Sequence, residues 1–208
     1  MGEILKFPGN AVRLGYKRVR KRNRLADDPN QLDLFLPPPA TVSSFTSALS
    51  SFEQALHWDE RGDAHAADLY AQAIEQGDCV ADAHCNLGII ESRLGKTAKA
   101  FDCFTTALKH DPRHAEAHYN LANLYFEVND SRLAQIHYEM AARVDPTFAN
   151  VHFNLALVQS LNHDLGGAIK SLLTYQQLVA AEEARQADEL LRHLRKTLDA
   201  QNDSRIGS

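Results

Sequence analysis

Three asparagines, Asn86, Asn120 and Asn154, recur at intervals of 34 residues, each two positions after a histidine (His84, His118, His152). A primary amide offers two N–H donors and an oxygen with two lone pairs. One such side chain can therefore pair with both the N–H and the C=O of an extended peptide. Other residues with chemistry to offer are scattered. Cys79, Cys85 and Cys103 are odd in number and form no Cys-x-x-Cys pair, which fits reduced thiols rather than a disulfide frame or a zinc knuckle. His110 and His114 flank a loop containing Asp111, where loop capping is favoured over a weak surface metal site. No Ser-His-Asp order, phosphate-cradling glycine loop or pair of carboxylates in a cleft stands out, so no catalytic machinery, cofactor or metal centre is expected.

The elements that must position these residues show themselves by repetition. His84-Cys85-Asn86-Leu87 returns as His118-Tyr119-Asn120-Leu121 and as His152-Phe153-Asn154-Leu155. The echo continues in Ala100, Ala134 and Ala168, in Phe104, Tyr138 and Leu172, and in Pro112 and Pro146. A fixed period of this length means stacked supersecondary units, and the pattern resembles the tetratricopeptide repeat (TPR). The resemblance implies an all-α solenoid, a right-handed superhelix of helix pairs. Gly88, Ala122 and Ala156 would sit where the two helices of a unit come close, and Asp-Pro would end each unit.

In that family one stripe of each first helix faces its partner helix and another lines the concave surface. The second stripe supplies the candidate peptide-binding residues: Asn86, Ile89, Tyr119, Asn120, Asn123, Phe126, Phe153, Asn154 and Leu157. Helix layers about 10 Å apart and an extended rise of about 3.3 Å would bring the ladder to every third peptide residue, giving a ligand of about nine. This resembles the asparagine ladder in the repeat superhelix of O-linked N-acetylglucosamine transferases, whose catalytic domain has no room here. At about 1 kcal/mol net per hydrogen bond, Tyr119, Phe126, Phe153 and Leu157 would have to add apolar anchoring. The alternative is that the asparagines simply bridge adjacent helices. Chaperone-binding relatives grip a C-terminal carboxylate with cations, but the corresponding positions hold Cys85, Tyr119, Glu116 and Asn154, which argues against an acidic C-terminal ligand. The aligned histidines stand one per layer, whereas zinc needs nitrogens within about 2.1 Å of one ion. Each is expected to fill the aromatic packing slot of its repeat.

The ends differ from the middle. Residues 1–40 carry eight Lys/Arg against four Asp/Glu, leaving 14 against 23 for the remainder, although the whole 208-residue chain has a net charge of only −5. This segment is expected to be disordered, with a helical turn at 13–24, because apolar residues are too sparse to offset the ordering entropy. Its basic cluster (Lys17, Arg18, Arg20, Lys21, Arg22, Arg24) could neutralise phosphates of a nucleic acid, weakly, with only Tyr16 for base stacking, or could be a solvated charge run. Gln31-Leu32-Asp33-Leu34-Phe35 resembles the pentapeptide by which bacterial replication and repair proteins dock on the DNA sliding clamp. It could equally fold back onto the protein's own groove. Residues 41–80 read as a degenerate first repeat, 81–180 as three regular units, 181–200 as a capping helix and 201–208 as a frayed tail. Ala184, Ala187, Leu190, Leu191, Leu194 and Leu198 form the apolar stripe of that capping helix, with dimerisation as the alternative use. No run is long enough to span a bilayer and no signal region opens the chain, so a cytoplasmic, bacterial-type protein without membrane contact is expected. The function that follows is an adaptor scaffold for a protein or peptide partner in extended conformation. The rival is a replication or repair accessory tethered to the clamp.

Overall fold

The computed structural model describes residues 15–20 and 49–206. Helices run α1 Ser51–Asp59, α2 His65–Glu75, α3 Val80–Arg93, α4 Thr97–His110, α5 Ala115–Glu127, α6 Ser131–Val144, α7 Ala149–Leu161, α8 Leu165–Leu178 and α9 Ala181–Ile206. Among the described residues there is no strand. Helices α1 to α8 pack as four successive antiparallel pairs, and α9 lies on α8.

Local chemistry sets the boundaries. Ser50 closes a capping box with Glu53, so it caps α1 rather than joining it. Asp130 and Asp164 cap α6 and α8 through their side chains. Asp111 and Asp145 precede prolines, which disfavour the helical conformation for them, and both are extended at the ends of α4 and α6. The turn inside each pair needs one left-handed residue, supplied by Gly62, Gly95, Asn129 and His163. The last three keep the 34-residue spacing while Gly62 comes one residue late. The helices flanking Gly62 keep the register, because Ala66, Tyr70 and Ala73 are buried as Ala100, Phe104 and Ala107 are. The first repeat is irregular at this turn and again at its exit, where left-handed Gly77 and Cys79 stand in place of Asp-Pro.

A small residue is needed between the paired helices. A Cβ on Gly88 would lie 2.7 Å from the Phe104 ring. The core divides into four apolar clusters along the stack, each built from facing Ala, Leu and aromatic residues. At the C-terminal end, Ala187, Leu190, Leu191 and Leu194 of α9 join one cluster with Phe153, Leu157, Leu172 and Tyr175. The stripe is thus buried within the chain and covers the last helix pair. The chain breaks at extended Val179 between α8 and α9. One boundary differs from expectation, since helix continues through 201–206 instead of fraying.

Candidate peptide-binding groove

The first helices of the pairs carry the asparagines, and α3 and α5 touch directly, so the amides of adjacent layers face the same space. That space holds the chain's own residues 15–20. Asn120 Oδ1 accepts from the backbone N–H of Lys17 (2.7 Å) and its Nδ2 donates to the Lys17 carbonyl (2.9 Å). Asn86 does the same for Val19, accepting from its N–H (2.8 Å) and donating to its carbonyl (3.0 Å). Asn123 Nδ2 approaches the Gly15 carbonyl at 3.5 Å. The segment runs against the order of the repeats. Its rungs fall on alternate residues, which marks it as extended.

Side chains fix the register. Val19 is 1% exposed and belongs to the cluster of Cys85, Ile89, Ala117 and Leu121. Arg18 donates from Nη2 to Asp59 Oδ1 (2.8 Å) and to the Asp59 carbonyl (3.1 Å), with Nε paired to Oδ2. Asp59 is only 3% exposed and also meets Arg93 at 3.0 Å. A buried carboxylate needs such partners, since desolvating it unpaired costs several kcal/mol or more. The Tyr16 ring stacks on Phe104 with centroids 6.0 Å apart. Its hydroxyl donates to Glu127 Oε2 (2.8 Å) and accepts from Ser92 (2.6 Å), while burial pushes its pKa up. The Lys17 ammonium lies 5.1 Å from the centre of the Phe148 ring.

Several expectations need correction. The helical turn at 13–24 is absent from residues 15–20, which are extended and docked rather than free. The ladder meets every second residue, Lys17 and Val19, not every third. Asn154 holds no peptide among the described residues. Its Nδ2 instead donates within the stack to Tyr119, Asn123 and Tyr138. Tyr119 is a core residue against Tyr138 and Phe148, and Phe153 and Leu157 lie in the cluster with α9. Phe126 is half-buried against the third pair's cluster. None of these four expected anchors shares a cluster with Val19, whereas Ile89, expected only as a groove residue, does.

Of the basic residues, Arg18 is committed to Asp59, Lys17 lies over Phe148, and Arg20 is an exposed partner of Glu60 at 3.7 Å. Lys21, Arg22 and Arg24 lie outside the described residues, as do Gln31, Leu32, Asp33, Leu34 and Phe35. Residues that meet the occupant without having been expected in the site include Asp59, Ser92, Phe104, Glu127 and Phe148. A signal for Asp59 exists, because it stands 34 residues before Arg93 and 68 before Glu127 on the same stripe.

The histidines act structurally. His118 and His152 each bond the carbonyl of a preceding inter-repeat proline, Pro112 (3.2 Å) and Pro146 (2.9 Å). His84 stacks on His110, and His114 caps α5 while reaching Asp82. Burial pushes the Cys85 thiol up, and the Cys103 thiol up to about 11, so neither is a ready nucleophile.

Residues 80–147 match the tetratricopeptide repeat family model. The fold is that of a TPR solenoid. The first TPR domain of Spaghetti (RPAP3), solved bound to the HSP90 peptide SRMEEVD, matches with a TM-score of 0.52 at 20% identity, covering 57% of this chain and 93% of that one. A thermophilic TPR protein of Thermus thermophilus matches with a TM-score of 0.55 at 21% identity, covering 71% and 81%. No curated protein matches the sequence. Among the described residues, no helix of the solenoid is long and apolar enough to cross a membrane.

Proposed function

We propose that this TPR solenoid is a non-catalytic protein–protein interaction scaffold whose groove takes extended peptide segments by their backbone. The observation that carries this reading is the paired bonding of Asn86 and Asn120 to both backbone groups of Val19 and Lys17. Both amides also donate within the stack, to the Tyr70 hydroxyl and the Cys85 sulfur, but bridging alone would not need donor and acceptor presented together to a third strand. Peptide binding to a TPR domain, as in the HSP90-peptide complex of RPAP3, gives the general mode but not the ligand. That peptide carries three acidic residues, whereas the groove here meets its occupant with Asp59, Glu60 and Glu127.

Segment 15–20 then acts as a built-in competitor. Because it is covalently tied, its effective concentration is on the order of 1 mM, and a partner must outbind it or wait for it to leave. The test is a quantitative pull-down with three full-length baits: wild type, Arg18→Glu/Val19→Asp to release the occupant, and Asn86→Ala/Asn120→Ala to remove the ladder. Groove partners should rise on the second bait and vanish from the third. An identical protein set on all three would refute the proposal.

A further inference from the structure

We infer that the ligand this groove accepts from another molecule is a basic linear segment with the pattern aromatic–any–arginine–small aliphatic, as in Tyr16-Lys17-Arg18-Val19. The inference rests on the peptide-scaffold reading and narrows it to a ligand class. The argument comes from what an incoming segment must leave satisfied. Displacing residues 15–20 takes from buried Asn86 and Asn120 both their backbone partners, and takes from buried Asp59 the Arg18 guanidinium, leaving it Arg93 and the Tyr70 hydroxyl. Groups so buried are costly without partners, so a replacement that lacks them is disfavoured. The two amides demand extended backbone with free N–H groups at alternate positions.

The side-chain subsites are narrower still. Asp59 accepts from the guanidinium Nη2 at both its carboxylate and its backbone carbonyl, with Nε in ion-pair contact with Oδ2. A planar fork fits that arrangement and a lysine ammonium does not. The Val19 site is closed to water and walled by Cys85, Ile89, Ala117 and Leu121, so it suits a small aliphatic group and rejects charge. Phe104 offers a ring face to an aromatic residue, and Ser92 and Glu127 together favour a phenol over a plain phenyl ring. Position 17 is different. The Lys17 side chain is exposed, with its ammonium over the Phe148 ring face, so that position tolerates variety.

The test titrates labelled acetyl-Gly-Tyr-Lys-Arg-Val-Arg-amide into the full-length Arg18→Glu/Val19→Asp chain by fluorescence anisotropy. Three further peptides are compared: Arg18→Lys, Val19→Asp, and a scramble of identical composition. Helix content by circular dichroism verifies each protein. The inference expects the parent peptide to bind at least tenfold more tightly than the other three, and to lose that binding when Asn86→Ala/Asn120→Ala is added to the protein. Equal binding by all four peptides, still abolished by the asparagine changes, would overturn the ligand pattern while leaving backbone recognition standing. No binding by any peptide to a correctly folded protein would overturn both.

Discussion

Replacing Asn120 by Ala removes two hydrogen bonds to Lys17, at 2.7 and 2.9 Å, and one to the Cys85 sulfur within the stack, while leaving both Asn86 bonds to Val19 in place. At about 1 kcal/mol net each, docking of segment 15–20 should weaken by about 2 kcal/mol, or about 30-fold in its equilibrium constant. The segment is short and its rungs are consecutive, so it should leave as one unit. The diagnostic amide is therefore Val19, whose own acceptor, Asn86, is intact in the variant. Native-state hydrogen exchange read by NMR should show protection of the Val19 amide falling by about the same 30-fold. Helical amides at Leu121 and Leu124 should stay slow, which separates undocking from unfolding. Unchanged protection at Val19 in Asn120→Ala would refute the reasoning, because Lys17 and Val19 would then be held independently.

The remaining predictions concern the scaffold. Burial, with the charge of His118 second, lowers the His137 pKa to about 4, and burial also lowers that of His118, whose Nδ1 lies 3.0 Å from His137 Nδ1. Between pH 6.5 and 4 the unfolded chain therefore binds protons that the native chain does not, and stability falls as pH falls through that window. After discount for partial exposure the His137 share is about 1–2 kcal/mol, and His137→Gln should flatten a plot of urea midpoint against pH. His163 is held left-handed at φ 64°, so His163→Gly should stabilise by up to about 1 kcal/mol and raise Tm by roughly 2–4 °C. Gly88→Ala should cost about 1–3 kcal/mol in chemical denaturation, because its Cβ would meet the Phe104 ring at 2.7 Å, and should loosen the Tyr16 stack as well.

The repeat was legible in the sequence because identical packing demands recur at each layer. Gly88, Ala100, Phe104 and the Asp-Pro turns each answer a steric or conformational requirement that returns every 34 residues. The groove amides were legible for the same reason, since Asn86 and Asn120 repeat in phase with the core. What filled the groove was not. Residues 15–20 have no helical or strand period, and their one buried apolar side chain, Val19, makes sense only against Cys85 and Ile89 far along the chain. Charge was misleading too. Arg18 reads as part of a solvated run, yet it neutralises Asp59, a carboxylate that local sequence marks as an ordinary helix end. Asn154 shows the limit of periodic reasoning. It shares the repeat position of the other two, but Tyr119, Asn123 and Tyr138 gather around its amide and draw it into the stack.

Backbone methylation of the hexapeptide gives the most direct measurement of amide-ladder recognition. Acetyl-Gly-Tyr-Lys-Arg-Val-Arg-amide would be made with one N-methyl group, at Lys17, at Arg18 or at Val19, and titrated into the full-length Arg18→Glu/Val19→Asp protein. The N–H groups of Lys17 and Val19 donate to Asn120 and Asn86, and that of Arg18 faces neither. Methylation at Lys17 or Val19 should weaken binding at least tenfold relative to methylation at Arg18. Equal losses at all three positions, or none at any, would contradict recognition by alternate backbone pairs.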